Sequence, residues 1–355
     1  MITIVGAGCI GNYLAYNLAK NGQEVRVIEE HLKVGKPVQC TGLTTHFLED
    51  VVKLRNDLIM NKMKKVRVIA PNGKITDIPL KRPEIVLNRC EFDNYLMEMA
   101  EKEGAKFLLG RKYINFDGKK VQVNNEYLDT NALIGADGPG SIVARTNNIL
   151  GKREFWTASQ ATIKGNWEKD TFTVWFGSMA PGFFAWCVPE NEEIARVGLA
   201  VKGNVTGYFD TLVKDKGKIL ERQGGLIPIY NKNIVTEKNN VYLVGDAAMQ
   251  VKATTGGGII PGMLAAEELS KAIIDKESYE KRWKKRIGKS LDMHLRLRKM
   301  LDKFSDKNYD KLIEMMNKES FKKILENADR EFPSKLMMEL LVKEPGLLKF
   351  AVKAI

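Results

Sequence analysis

The chain opens on an unbroken apolar run, Ile2 to Val5, that stops at Gly6. Four apolar residues without alternation, ended by glycine, predict a strand buried on both faces. Beyond Gly6-Ala7-Gly8-Cys9-Ile10-Gly11 the period changes: Ile10, Leu14 and Leu18 recur at helical spacing. Asn21-Gly22 ends that helix, with Lys20 in its last turn facing the negative end of the dipole. A second strand, Val25 to Ile28, ends at Glu29. Leu133-Ile134-Gly135 runs into Ala136-Asp137-Gly138, and Val241 to Val244 runs into Gly245-Asp246. Arg89 heads a helix with Phe92, Tyr95, Leu96, Met99 and Ala100 on one face, and Gly256-Gly257-Gly258 opens another through Ile259, Met263, Ala266 and Leu269. Elsewhere β-branched and aromatic residues predict strands at 155–163, 171–176 and 194–201, and stretches 64–70 and 74–79 flank the hairpin signal Asn72-Gly73.

The order strand, GxGxxG, helix, strand, terminal acid is the context in which a glycine fingerprint means dinucleotide binding. Gly6, Gly8 and Gly11 permit the tight turn, the close approach of a pyrophosphate and helix-on-strand packing, and the helix N-terminus at Ile10 meets the negative charge. A carboxylate at Glu29 accepts both hydroxyls of an adenosine ribose and repels a 2′-phosphate.

Composition narrows the class. A chain of 355 residues, 44% hydrophobic and 28% charged, has core enough for two or three structural units. Residues 276–355 hold 21 basic and 13 acidic residues, so +8 of the +12 net charge lies in this tail and the body is near neutral. A basic nucleic-acid binder throughout is therefore a poor reading, and a neutral body with a basic appendage a better one. The tail, with Lys281-Arg282-Trp283-Lys284-Lys285-Arg286 and the leucines of 336–352, reads as helical: a solvated face, a surface for anionic membrane, or, without any recognition motif, a nucleic-acid contact. No apolar run approaches the ~20 residues of a spanning helix. Nothing before Ile2 leaves room for a cleaved leader, and Cys9, Cys40, Cys90 and Cys187 form no CxxC pair. With His31, His46 and His294 as the whole histidine complement, the expectation is a cytoplasmic, metal-free protein, peripheral at the membrane face if the tail docks there.

The ordered set of motifs resembles the FAD-dependent oxidoreductases of the para-hydroxybenzoate hydroxylase type, over about residues 1–275. That resemblance implies FAD as cofactor, with Arg89 approaching it, Asp137 and Asp246 among its contacts, and the ribityl chain at Asp246. It also implies that Gly257, Gly258 and Ile259 lie at the flavin's pyrimidine end, and that a chain crossing near Tyr113 lies against the adenine. A narrower resemblance is to the geranylgeranyl reductase family. Pro181-Gly182-Phe183-Phe184-Ala185-Trp186-Cys187-Val188-Pro189 is similar to its PxxYxWxFP signature, and Pro37-Val38-Gln39-Cys40-Thr41-Gly42 to its cysteine loop beside the flavin. Phe184, Val188 and Ala253 stand where the family has Tyr, Phe and Pro.

The expected fold is α/β. A Rossmann-like FAD domain (1–62, 87–150 and 236–275) is interrupted by a mostly antiparallel substrate sheet (63–86 and 151–235), and a basic helical region (276–355) follows. The resemblance implies reduction of geranylgeranyl chains, of an archaeal-type ether glycerophospholipid, with electrons from ferredoxin, a deazaflavin or NADPH. An isolated trisubstituted alkene has no carbonyl to polarise it, so saturation requires a dry cavity, electron-rich walls and one proton source. Cys40 is the acidic side chain that the resemblance places beside the flavin; Phe183, Phe184, Trp186 and Trp175 are the candidate walls, each equally readable as core. The alternatives are an aromatic hydroxylase on the same scaffold and a prenyl-lipid carrier without turnover.

Overall fold

The computed structural model describes residues 1–326 and Glu331. The described chain folds into two compact units: Met1–Val38 with Asn88–Glu154 and Ile227–Asp292, and Gln39–Leu87 with Phe155–Leu226 and the described residues from Met293 onward.

The first unit is built on a six-stranded sheet in the order Glu237–Lys238, Val241–Leu243, Ala132–Gly135, Ile2–Val5, Val25–Glu29, Lys106–Leu109. Every pairing except that of the Glu237–Lys238 edge is parallel. Ile2–Val5 is central and all four of its residues are buried, which is why it carries no polar alternation. Helices Cys9–Lys20, Arg89–Lys102 and Ile259–Asp275 occur where the sequence places them. A three-stranded antiparallel sheet, Tyr113–Phe116, Lys120–Val123 and Glu126–Asp129, was not expected. Its strands are four residues long and largely polar, and their burial comes from one face packing on Val5, Ile28 and Leu133.

The second unit is an eight-stranded sheet in the order Lys218–Pro228, Phe155–Lys164, Ile194–Val201, Ala185–Pro189, Thr171–Trp175, Ile59–Ile69, Ile75–Leu87, Leu43–Thr44. It is mostly antiparallel; Thr171–Trp175 runs parallel to Ile59–Ile69. The hairpin turns at Asn72-Gly73 as expected, but its strands are longer than 64–70 and 74–79 and absorb two register shifts. Residues 39–62 group with this unit, because Leu43–Thr44 pairs with Ile85–Val86 and Ile59 with Leu87. Helix Thr206–Val213, also unexpected, covers one face, packing Phe209, Leu212 and Val213 on Ala185, Cys187, Val197 and Leu199. Cross-strand partners share a face. The pairings Trp186–Gly198 and Gly198–Gln160 therefore place Trp186 and Gln160 on the other one.

The tail is helical at Tyr279–Trp283, Lys289–Leu301, Asp306–Met316 and Glu319–Glu326; the leucines of 336–352 lie outside the described residues. Trp283 is 1% exposed and its Nε1 donates to Thr236 Oγ1 at 2.9 Å, so it is core and not a membrane-facing aromatic. Arg282 pairs with Glu268, Asp275 and Glu277, and Lys284 with Glu280, which removes two of the five charges around it from a free basic patch. Among the described residues no helix is long and apolar enough to cross a membrane.

Candidate active site

In the first unit the glycine loop is fixed by close approach. A Cβ on Gly6 would meet Ala136 O at 2.5 Å, and one on Gly11 would meet Gly6 O at 2.0 Å. Gly8, by contrast, has open space at its Cβ position, and no side chain caps the twelve-residue helix that follows it. An uncapped helix start behind a glycine with nothing in front of it fits a pyrophosphate. The Ile10 side chain is not in this opening: it fills a notch made by Gly245 and Gly262, where any Cβ would lie within 3.2 Å of it. Only its backbone amide is left to face that opening.

Glu29 ends its strand beside this loop. One carboxylate oxygen accepts the Ala7 amide at 2.8 Å; the other takes the His31 amide at 3.0 Å and Nδ1 at 2.6 Å. His31, which the sequence offered only as one of three histidines, is thus Glu29's half-exposed partner. Arg89 reaches Cys9 Sγ at 3.4 Å and Asp93 at 2.9 Å. Burial pushes Asp246 up to about 6, the Arg89 guanidinium pulling it partway back. A Cβ on Gly258 would stand 2.7 Å from Asp246 Oδ1, so this carboxyl lies at the start of the Ile259–Asp275 helix. Gly257 is packed against Lys252. Sequence reading missed Arg153, whose Nε and Nη2 hold the Leu150 and Ala247 carbonyls while Nη1, buried, has no partner among the described residues.

Two expected cofactor residues serve the fold through their side chains. Tyr113 is 3% exposed and its hydroxyl bonds Thr146 and Asn147, so its ring offers no face to an adenine. The chain crossing itself does run beside Glu29, at Arg111. Asp137 accepts from Ser141 Oγ and the Val143 amide, capping the Ile142–Thr146 helix; burial raises its pKa, and these two donors oppose the rise.

In the second unit the cysteine loop and the signature strand are tied together by side chains. Arg196 Nη1 donates to the carbonyls of Cys40 at 2.9 Å and Thr41 at 3.0 Å, and its Nε bonds Glu190 at 2.5 Å, directly after the signature's last proline. The Gly42 amide points at Cys40 Sγ, 3.3 Å away. Gly42 itself is held against Leu87, whose carbonyl a Cβ would meet at 2.6 Å, so its glycine is required by packing. Cys40 is partly exposed; Cys187, on the covered face, is buried, and burial pushes its thiol up to about 12. Trp186 lies over Gly198, where a Cβ would meet its ring at 2.6 Å, and Phe184 meets it edge-on with centroids 5.9 Å apart. The other two aromatics are corrected by the structure. Phe183 is 1% exposed between Trp156, Phe184 and the Arg298 guanidinium, and is core. Trp175 pairs with Ala185, so it belongs to the face covered by Thr206–Val213, opposite Trp186. There it lines a groove of about 770 Å³ with Phe176, Met179 and Tyr208.

A family described as FAD binding domain matches residues 1–203, so the protein is an FAD-dependent oxidoreductase. The chain is 31% identical to a digeranylgeranylglycerophospholipid reductase of Methanocaldococcus jannaschii, over 98% of this chain and 96% of that one. It is 30% identical to the enzyme of the same name from Methanosarcina acetivorans, over 90% and 89%. The solved structure of a geranylgeranyl bacteriochlorophyll reductase-like protein from Thermoplasma acidophilum covers 100% of this chain and 98% of its own at a TM-score of 0.85 and 25% identity. The chain belongs to the digeranylgeranylglycerophospholipid reductase family.

Proposed function

We propose that this protein saturates the double bonds of geranylgeranyl chains carried on a glycerophospholipid, with Cys40 as the proton source. The observation that carries the reading is the partly exposed Cys40 thiol in a loop whose carbonyls Arg196 holds and whose Thr41 is tied to the Trp186 face of the sheet. The Gly6–Gly11 turn, Glu29, Asp246 and the amides at Gly258–Ile259 would hold the cofactor. FAD, when bound and reduced, supplies two electrons and one of the two hydrogens that each alkene gains. The other hydrogen is the thiol proton of Cys40, delivered to the less substituted carbon while positive charge grows on the more substituted one. The Trp186 and Phe184 rings present electron density to that charge. The thiolate left behind accepts the Gly42 amide and regains its proton from water, which partial exposure admits. Glu29 would accept a ribose hydroxyl once the exposed His31 ring turned aside. Drawing such a lipid from a bilayer calls for positive charge at the surface, which exposed Lys281, Lys285 and Arg286 supply.

Anaerobic mixing of the reduced protein with a geranylgeranyl ether lipid should add two hydrogens per bond and no oxygen. A product heavier by oxygen, formed only in air, would mark a hydroxylase, and lipid bound without a mass change a carrier. Ferredoxin, a reduced deazaflavin and NADPH, supplied in turn, identify the electron donor. Cys40→Ser should retain the flavin spectrum and lose turnover by about 100-fold, the range of a positioned general acid. Full activity in that variant returns Cys40 to a packing role.

A further inference from the structure

Gln160 is the polar centre of the sheet face that carries Trp186. It is 5% exposed and stands opposite Gly198, the residue over which the Trp186 ring lies. Its Oε1 accepts two hydrogen bonds, from Thr41 Oγ1 at 2.6 Å and from Trp186 Nε1 at 2.9 Å, while its Nε2 donates to Gln223 Oε1 at 2.6 Å. Both lone pairs of one amide oxygen are thus shared between the residue next to Cys40 and the indole of the signature. The loop from Gly35 to Gly42 has no regular secondary structure of its own. Arg196 fixes its backbone, and Gln160, through Thr41, sets where it stands relative to Trp186. Arg196 is itself tied to Glu190, so the loop is attached to the signature strand at two points.

We propose that Gln160 is a positioning residue for the reduction: a two-way acceptor that sets the Cys40 loop and the Trp186 ring in one register, so that proton source and electron-rich wall address the same alkene. This rests on the reading of Cys40 as proton source. The chemical demand is strict, because the proton must reach one carbon while the charge grows on its neighbour, and misplacement by about 1 Å costs on the order of 100-fold in rate. No other side chain contacts both partners through one atom in the hydrogen bonds among the described residues.

Two variants separate positioning from bulk. Gln160→Leu fills similar space but leaves Thr41 and Trp186 without their acceptor; Gln160→Glu keeps an acceptor oxygen, with the Gln223 amide turned to donate. The first readout needs no turnover: alkylation of Cys40 by iodoacetamide in the FAD-loaded protein, followed by peptide mass. Gln160→Leu should react at least about fivefold faster because the loop opens more often, and Gln160→Glu within twofold of the parent. Equal rates in all three overturn the proposal. In turnover, Gln160→Leu should lower kcat by about 10–100-fold with KM within about threefold and FAD content unchanged. Combined with Cys40→Ser, it should add nothing further; a full additional loss in the double variant also overturns the proposal. If Cys40→Ser alone is fully active, the proton-source reading fails and the coupling of loop to indole is still decided by alkylation. Should Gln160→Leu not fold, Thr41→Val releases the loop alone, and the same acceleration of alkylation is required of it.

Discussion

The two units build their functional surfaces from different materials. In the first, neighbours in sequence build the glycine turn: Gly6 and Gly11 are fixed by the backbone an added Cβ would strike, and Gly8 leaves an uncapped helix start open. In the second, Thr41, Gln160, Trp186 and Arg196 lie far apart in the chain and meet on one sheet face through side-chain hydrogen bonds. A backbone-made site tolerates many side chains but no added atom at its contact points. A side-chain-made site tolerates backbone adjustment but no lost partner.

Gly11→Ala tests the first half of that contrast and carries the largest expected effect. The new methyl would stand 2.0 Å from the Gly6 carbonyl, a backbone atom that cannot turn aside. The purified variant should be colourless and destabilised by about 3 kcal/mol, read by flavin absorbance and denaturant unfolding. A yellow, stable variant breaks the comparison. Gly198→Ala is the matching test of the second half. Its methyl would meet the Trp186 ring at 2.6 Å, which can move, and the Ser159 carbonyl at 2.8 Å, which has less room to give. Stability should fall by about 2 kcal/mol with FAD retained, and the tryptophan emission should shift as the ring leaves Gln160. Loss of FAD there would show that the two units are not independent.

The smallest effect belongs to Asp246 and depends on pH. Its carboxyl has a folded pKa of about 6, above the ordinary 3.8, so the folded state holds the proton more tightly than the unfolded one. The FAD-free protein therefore loses stability as pH rises from about 4 to about 6 and stays at the lower value above that. Asp246→Asn removes the penalty and should raise Tm of the FAD-free protein at pH 7.5 by a few degrees, the gain vanishing near pH 4. The same variant should hold FAD less well. A gain that persists unchanged at pH 4 would place its origin elsewhere.

The contrast also explains what could be read from the chain. Four strands of the six-stranded sheet and their glycine turns were legible because each carries its own local signal, a run, a turn and a period; the edge strands Lys106–Leu109 and Glu237–Lys238 carry none and went unread. The register that puts Trp175 and Trp186 on opposite faces was not, because it is set by pairing with Ala185 and Gly198 and not by either tryptophan's neighbours. Tyr113 misled for a related reason. The chain does cross beside Glu29 there, yet the alternation that points the ring inward comes from a short sheet whose strands, four residues each, are too brief and polar to announce themselves. Gln160 and Arg196 sit in strands predicted as strands, with nothing in their surroundings to mark them as partners of a loop more than 110 residues earlier.

The wedge of Ile10 between Gly245 and Gly262 bears on how the protein is made. The glycine turn leaves the ribosome well before the notch that seats its helix, since Gly245 and Gly262 follow far along the chain. The strand Ala132–Gly135 and its neighbour Val241–Leu243, which extend the sheet on one side of Ile2–Val5, also arrive late. The N-terminal segment must wait, a newborn strand and helix with their apolar faces uncovered, so cofactor capture belongs to the end of translation. A chain truncated before Gly245 should emerge as a client for chaperones, carrying an intact fingerprint and no flavin.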